Sequence, residues 1–176
     1  NVDDVYNEML DKWERYGIRD FAFYADFLLW RYEQFFIPLL ERIAGNKEVH
    51  FRLYAPEGLD VKLLSQSQRL VDLLKEAHFQ KIYLPCESID DEYVKTLNRK
   101  HVRLEHFVKA AEMCEAAGFN LRNLDVNSFV IYGLPGETVD QVVKTTLFVS
   151  EIVGSIIPML FTPVPSTQIY QQCLPY

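Results

Sequence analysis

Residues 133–137, with the sequence GLPGE, form an abrupt turn signal after an apolar, β-branched segment at 126–132. A helical pattern follows and begins at Glu137. Glycine allows the backbone to approach a flat ring, proline fixes φ, and an acid at a helix start interacts favourably with the helix dipole. The turn is therefore either a tight connection before a capped helix or one wall of a ligand pocket.

Glu87 and Ser88 form a second candidate site, because they directly follow the apolar segment 81–86. A carboxylate at the end of a buried strand is costly unless it has partners, and its oxygens can accept hydrogen bonds from the hydroxyl groups of a ligand. Ser88 precedes the acidic sequence IDDE, which is typical of a helix N-cap. The sequence favours both functions together, with Ser88 as the cap and Glu87 as the ligand contact.

Composition and charge argue against several classes of partner. The chain has 176 residues, a formal net charge of −7 and a hydrophobic fraction of 49%. These values are ordinary for one folded domain, which we assign to residues 1–176. Nucleic acids and anionic membranes require clustered lysine and arginine, so we expect neither as a main partner. We expect a cytoplasmic protein without a membrane span, since no apolar run is long enough.

The three cysteines, Cys86, Cys114 and Cys173, are odd in number and widely spaced. Such spacing predicts reduced, buried thiols rather than a disulfide framework or a metal site. The four histidines also show no pairing suited to a metal. We therefore predict no metal site on this chain, and these residue types alone identify no catalytic residue.

Helical and strand patterns alternate along the chain. Helices are predicted at 2–16, 31–44 (with Pro38 expected to bend it), 60–77 (in two pieces around SQSQ), 90–97, 103–117, 137–153 and from 167 onward. Strands are predicted at 21–27, 49–55, 81–88, 126–132 and within 156–167. This alternation, without any hairpin signal, predicts an α/β fold with parallel strands, whose ligands bind at the carboxyl ends of the strands.

The motifs at these strand ends closely resemble the core of the radical S-adenosylmethionine (SAM) superfamily. Residues 87–145, from ESIDDEYVKTLNRK to GLPGETVDQVVKT, are similar to its second half, especially to the Fe–S oxidoreductase branch often preceded by a cobalamin-binding domain. FTPVPSTQIY at 161–170 resembles the next element. FAFYADF at 21–27 resembles strand two, although Ala25 stands where an acid is common.

The resemblance implies a partial TIM-type (β/α)6 barrel with parallel strands, here lacking the first strand. The Cys-x3-Cys-x2-Cys loop that binds a [4Fe–4S] cluster in the family has no counterpart in this sequence. We therefore expect a fragment of an enzyme, running from the first helix to strand six. SAM and the cluster are expected cofactors of the parent protein, cobalamin is a further candidate, and none is expected bound to this chain.

The resemblance also implies contacts to the adenosyl group of SAM. The backbone from Ile131 to Gly133 corresponds to the adenine contact, and Glu87 corresponds to the ribose contact, with Ser88 beside it. Pro163 lies in the element after the last strand and is assigned to the same pocket.

Two further residues correspond to contacts with the methionine part of SAM. Arg99 is similar to the family cation that meets the methionine carboxylate, a partner that suits the forked donors of a guanidinium. Asp26 lies where the family contacts the methionine amino group, although capping of the following helix is an equal alternative.

The expected function is reductive cleavage of SAM at a [4Fe–4S] cluster by the parent protein, which generates a 5′-deoxyadenosyl radical. The alternative is a degenerate barrel that binds a nucleoside or a protein partner without catalysis. An ordinary TIM-type barrel is less favoured, because no glycine-rich phosphate cradle is present. A missing first strand would also leave an exposed strand edge at 21–27, so we expect either self-association through this edge or disorder near residues 18–28.

Overall fold

Helices and strands alternate in the computed structural model, which describes residues 1–25, 27–96 and 103–174. In chain order the described elements are α1 (Val2–Tyr16), β1 (Asp20–Ala22), α2 (Phe36–Gly45), β2 (Arg52–Tyr54), α3 (Val61–Leu64), α4 (Gln68–Glu76), β3 (Phe79–Cys86), α5 (Asp91–Thr96), α6 (Leu104–Ala116), β4 (Val126–Tyr132), α7 (Val139–Ile152), β5 (Ser155–Leu160) and α8 (Gln168–Cys173). Among these residues, no helix combines the length and the apolar character that crossing a bilayer requires.

The five described strands are parallel and lie side by side in the order β1-β2-β3-β4-β5. Sequential order means that every crossover advances in the same direction, and right-handed crossovers then place the helices on one face of the sheet. A doubly wound sheet would instead reverse direction once. The architecture is an α/β partial barrel of the TIM type, which confirms the predicted fold class.

Side chains along β3 point alternately toward the helices and toward the inner side of the sheet. Ile82, Leu84 and Cys86 are buried against the helices, and each fully buried aliphatic side chain contributes about 1.5–3 kcal/mol relative to exposure. Tyr83 points to the other side, where its ring stacks on Phe129 of β4 with centroids 5.3 Å apart. The inner face of the barrel is therefore lined by half-buried aromatic rings.

The segment after β1 differs from the prediction. The strand expected at 21–27 is only three residues long, and residues 27–35 form turns before α2 begins at Phe36. Pro38 does not bend a helix, because it lies in the first turn of α2, where a missing N–H costs nothing. The proline thus marks the start of α2, five residues later than predicted.

The prediction of two helical pieces within 60–77 is confirmed, and each piece has its own cap. Asp60 Oδ1 accepts the N–H of Leu63 at 2.9 Å, and Ser67 Oγ accepts the N–H of Leu70 at 3.2 Å. The strand predicted at 49–55 is shorter, at Arg52–Tyr54, while the strand predicted at 126–132 has the predicted bounds.

Gly154 fixes the approach to β5. A side chain here would place its Cβ 2.5 Å from the carbonyl oxygen of Arg122, and the Gly154 N–H donates to the Leu121 carbonyl at 2.6 Å. The Arg122 guanidinium in turn donates to the Ser150 carbonyl at 2.8 Å at the end of α7. Only glycine allows this close crossing of two backbone segments.

Candidate functional site

The carboxyl ends of β3, β4 and β5 lie side by side and bring most of the predicted site residues to one edge of the sheet. Cys86 pairs with Val130, and Tyr132 pairs with Leu160. In this register Glu87 follows β3 level with Ile131 of β4, and Gly133 lies two residues farther along the chain, directly after β4. Pro163 follows the end of β5 by three residues.

Glu87 and Ser88 are both buried at the end of β3, with exposed fractions of 8% and 4%. Burial of an acid at a strand end is the placement that the sequence predicted for a ligand contact. The ribose contact itself is not tested by this geometry and stays a prediction.

The predicted capping function of Ser88 is wrong, because Asp90 caps α5. Asp90 Oδ1 accepts the N–H of Tyr93 at 3.0 Å, and the Asp90 carbonyl accepts the N–H of Val94 at 3.0 Å. The Ser88 hydroxyl instead accepts the N–H of Asp90 at 3.1 Å and tightens the loop before the helix. The helix starts at Asp91, too far along the chain for Ser88 to reach its first turn.

Two residues of α7 hold this loop in place, and sequence reasoning missed both. The buried Thr145 Oγ1 accepts the N–H of Ile89 at 3.3 Å, and Gln141 Nε2 donates to Asp90 Oδ2 at 3.3 Å. The Tyr93 N–H and, less strongly, the Gln141 amide keep the pKa of Asp90 below its usual value. The loop that contains Glu87 is thus tied to the helix that follows the glycine turn.

The turn at 133–137 is closed by one carboxylate. Glu137 Oε2 accepts the N–H of Gly133 at 2.8 Å and the N–H of Leu134 at 3.3 Å. Burial raises the pKa of Glu137 although these two hydrogen bonds favour the charged form. The backbone at Gly133 therefore offers a ligand its carbonyl and Cα surface rather than its N–H.

Glu137 does not begin a helix as the sequence predicted. α7 starts at Val139 with Thr138 as the N-cap, and a capping box joins Thr138 to Gln141. Thr138 Oγ1 accepts the N–H of Gln141 at 3.3 Å, and the Thr138 N–H donates to Gln141 Oε1 at 2.9 Å. Because Thr138 and Gln141 accept each other's N–H groups at the start of α7, the Glu137 carboxylate is not needed as a cap and is available for the turn.

Gly133 has a backbone conformation and a neighbour that both favour glycine. Its φ is +81°, and a Cβ would lie 3.2 Å from Leu160 Cδ1 on β5. Ile131 is half-buried and by strand alternation lies on the same face of β4 as Phe129, the inner side of the sheet. Gly133 is the first residue after β4, so the two predicted adenine-contact residues lie at the end of one strand.

The described cysteines do not suit an iron–sulfur cluster. Burial raises the pKa of Cys86 and of Cys114 to about 12, which keeps both thiols protonated, whereas cluster ligands are thiolates. Within residues 1–25, 27–96 and 103–174, no group of three or more His, Cys, Asp or Glu side chains could hold a metal ion. The described residues therefore do not fit a [4Fe–4S] cluster.

Residues 2–149 match the family model of the radical SAM superfamily. The chain belongs to this superfamily. A curated relative, the tRNA-2-methylthio-N(6)-dimethylallyladenosine synthase of Thermodesulfovibrio yellowstonii (strain ATCC 51303 / DSM 11347 / YP87), is 29% identical over 115 residues, which are 64% of this chain and 24% of that protein. This radical SAM chain thus spans about a quarter of the length of that relative.

A solved radical SAM structure has the same fold. Coproporphyrinogen III oxidase from Escherichia coli, itself a radical SAM enzyme, aligns with a TM-score of 0.51 and 14% sequence identity. The alignment covers 94% of this chain and 50% of that one. The shared architecture supports the assignment of the partial barrel, and at this identity the likeness shows the fold alone.

Two residues predicted to meet the methionine part of SAM, Asp26 and Arg99, lie outside the described residues of this radical SAM chain. Among the described residues, β1 and β2 share a charged pair. Arg52 of β2 donates to the Asp20 carboxylate, and Tyr54 Oη donates to Asp20 Oδ1 at 3.1 Å. The hydrogen bond from Arg52 is the main cause of the lowered pKa of Asp20.

Proposed function

We propose that this chain forms the adenosyl-binding part of a radical SAM active site, and that the parent protein cleaves SAM reductively at a [4Fe–4S] cluster. The observation that supports this most strongly is the juxtaposition of a buried carboxylate, Glu87, with the glycine turn at 133–137 on the neighbouring strand. Superfamily membership gives this juxtaposition its chemical meaning.

The ribose would bind at Glu87. Its carboxylate is largely withdrawn from water at the carboxyl end of β3, where parallel α/β folds bind ligands. Two carboxylate oxygens can accept hydrogen bonds from two vicinal hydroxyl groups, and such charge-assisted bonds are stronger than neutral ones. Ser88 contributes by fixing the loop that follows.

The adenine would lie against Ile131 and Gly133. The Gly133 N–H is occupied by Glu137, so the backbone presents carbonyl acceptors at this position. The exocyclic amino group of adenine is a hydrogen-bond donor and matches such acceptors. Leu160 and Pro163 would border the same side of the pocket, since Leu160 already contacts the Gly133 position.

SAM, when bound, supplies a sulfonium carbon–sulfur bond that one electron can break. The described residues of this chain bind and orient the adenosyl group and shield it from water. These described residues offer no set of ligands for the cluster. We assign the methionine carboxylate to Arg99 and the methionine amino group to the region of Asp26.

Titration with S-adenosylhomocysteine, which has the adenosyl group but no sulfonium, tests the adenosyl site. Glu87→Gln should weaken binding by about 10- to 100-fold, because one charge-assisted acceptor is lost. Glu48→Gln, at an exposed acid before β2, is the matched control and should bind like the wild type. Equal affinity for wild type and Glu87→Gln would remove Glu87 from the site.

Reductive cleavage is tested separately, by measuring 5′-deoxyadenosine formed from SAM by the whole parent protein under reducing, anaerobic conditions. Formation of 5′-deoxyadenosine by the wild type, with less formed by Glu87→Gln, supports the enzymatic proposal. A parent protein that binds SAM but forms no 5′-deoxyadenosine would instead support the alternative, a nucleoside-binding barrel without catalysis.

A further inference from the structure

The turn after β4 has the geometry of a type II β-turn. The Glu137 N–H donates to the Leu134 carbonyl at 3.0 Å, Pro135 occupies the second position, and Gly136 in the third position has a φ of +77°. Type I and type II turns differ mainly in the orientation of their central peptide group. In this chain that group is the peptide between Pro135 and Gly136.

A hydroxyl from another element contacts this central peptide. Tyr93 Oη, on α5, donates a hydrogen bond to the Pro135 carbonyl oxygen at 3.0 Å. Burial, and next the nearby Glu137 carboxylate, raise the pKa of Tyr93 to about 12, so the hydroxyl keeps its proton at neutral pH. Rotation of the peptide toward a type I turn would move the carbonyl oxygen away from this donor.

The position of Tyr93 is itself well fixed. Asp90 caps α5 and accepts from Gln141 of α7, and the N–H of Ile89 donates to the buried Thr145. Tyr93 therefore connects the loop that contains Glu87 to the glycine turn on the next strand. The hydrogen bonds from Gly133 and Leu134 to Glu137 lie within the turn, so they do not duplicate this contact between the turn and α5.

We propose that Tyr93 is a positioning residue for the adenosyl site, since its hydroxyl fixes the Pro135–Gly136 peptide in the type II orientation. This contact holds the turn against α5, and with it the Glu137 carboxylate that accepts the Gly133 N–H. The backbone from Ile131 to Gly133 thereby keeps the shape that receives adenine. This inference rests on the proposed function.

Tyr93→Phe tests the inference, because it removes the hydroxyl and keeps the ring. The variant should bind S-adenosylhomocysteine about 5- to 10-fold more weakly, the scale of one neutral hydrogen bond, with shifted amide resonances at Gly133 and Gly136. Tyr6→Phe is the matched control. Tyr6 lies on α1, and its hydroxyl accepts a hydrogen bond from Asn46 Nδ2 at 2.8 Å. Loss of this hydroxyl should lower the stability of the protein to a similar degree and leave the affinity for S-adenosylhomocysteine unchanged.

The outcomes separate the two proposals. A folded Tyr93→Phe protein with wild-type affinity and unshifted Gly136 would overturn the inference and leave the adenosyl site standing. A similar loss of affinity in Tyr6→Phe would also overturn it, because the effect would then follow stability alone. A wild-type protein that does not bind S-adenosylhomocysteine would overturn the proposed function and this inference with it.

Discussion

The Glu137 carboxylate accepts the backbone N–H of Gly133 at 2.8 Å and closes the turn that follows β4. The same oxygen also accepts the N–H of Leu134 at 3.3 Å. The Glu137 carboxylate therefore occupies both N–H groups, and a ligand does not have to supply their acceptor. The surface left for a ligand is made of carbonyl oxygens and glycine Cα atoms, which suits the donor edge of a purine.

Glu137 should make stability depend on pH. Burial raises its folded-state pKa above the ordinary value of 4.5, so the folded protein holds this proton more tightly than the unfolded chain. Stability should then fall as pH rises from the unfolded-state pKa to the raised folded-state pKa, and change no further above it.

Urea unfolding of wild type and Glu137→Gln across this pH range isolates the effect, because other acids contribute equally to both proteins. The stability of wild type minus that of Glu137→Gln should decrease as pH rises. A difference that is constant, or that grows with pH, would contradict the assigned burial of this carboxylate.

The two turn glycines should respond differently to alanine. Gly136→Ala should cost about 1–2 kcal/mol, because φ is +77° although the space around its Cβ is open. Gly133→Ala should cost more, since its Cβ would also meet Leu160. Gly45→Ala, at the end of α2 with open space and no such φ, is the control and should be neutral or stabilising. Urea unfolding measures all three, and equal losses at the three sites would contradict the turn geometry.

The three cysteines should differ in reactivity. Burial raises the pKa of Cys86 and Cys114 to about 12, so about one thiol in ten thousand is ionised at pH 8. Cys173 on α8 is only half-buried. Brief treatment of the native protein with iodoacetamide should therefore label Cys173 first, as read by mass spectrometry. Rapid labelling of Cys86 in the native protein would show that β3 ends in a more open environment.

We further propose that the isolated chain self-associates through β1. This strand pairs with β2 on one side, and no other described strand pairs with it. The exposed aromatic residues Tyr24, Phe27 and Trp30 follow it, at 72%, 79% and 71% exposure. Unpaired edges beside apolar surface favour association.

Light scattering after size exclusion should show a mass that rises with concentration. Phe27→Asp should reduce that rise, whereas Leu124→Asp, at an exposed leucine before β4, should not. A strict monomer at every concentration tested would contradict this prediction.

Strong local patterns predicted much of the fold. β4 has the predicted bounds because its apolar, β-branched run ends at a glycine, and the split helix at 60–77 has a capping residue at each start. The segment at 27–35 was predicted incorrectly as partly helical. Its aromatic residues suggest a buried face, yet Phe27 and Trp30 are exposed, and composition cannot distinguish a core from a surface patch.

Site residues could be predicted from the sequence only where they directly follow a strand. Glu87 and Gly133 were found because each follows an apolar run directly. Tyr93 and Thr145 were missed because their partners, Pro135 and Ile89, lie 42 and 56 residues away in sequence. Such contacts depend on how helices pack across the sheet, and no local pattern encodes them.

The central claim, that the carboxyl ends of β3 and β4 bind the adenosyl group of SAM, is tested most directly by amide chemical shifts. Uniformly ¹⁵N-labelled protein would be titrated with S-adenosylhomocysteine, because such a titration detects even weak binding. The account predicts saturable shift changes concentrated at residues 87–89 and 131–134. Changes confined to other parts of the chain, or no change at the highest ligand concentration, would contradict it.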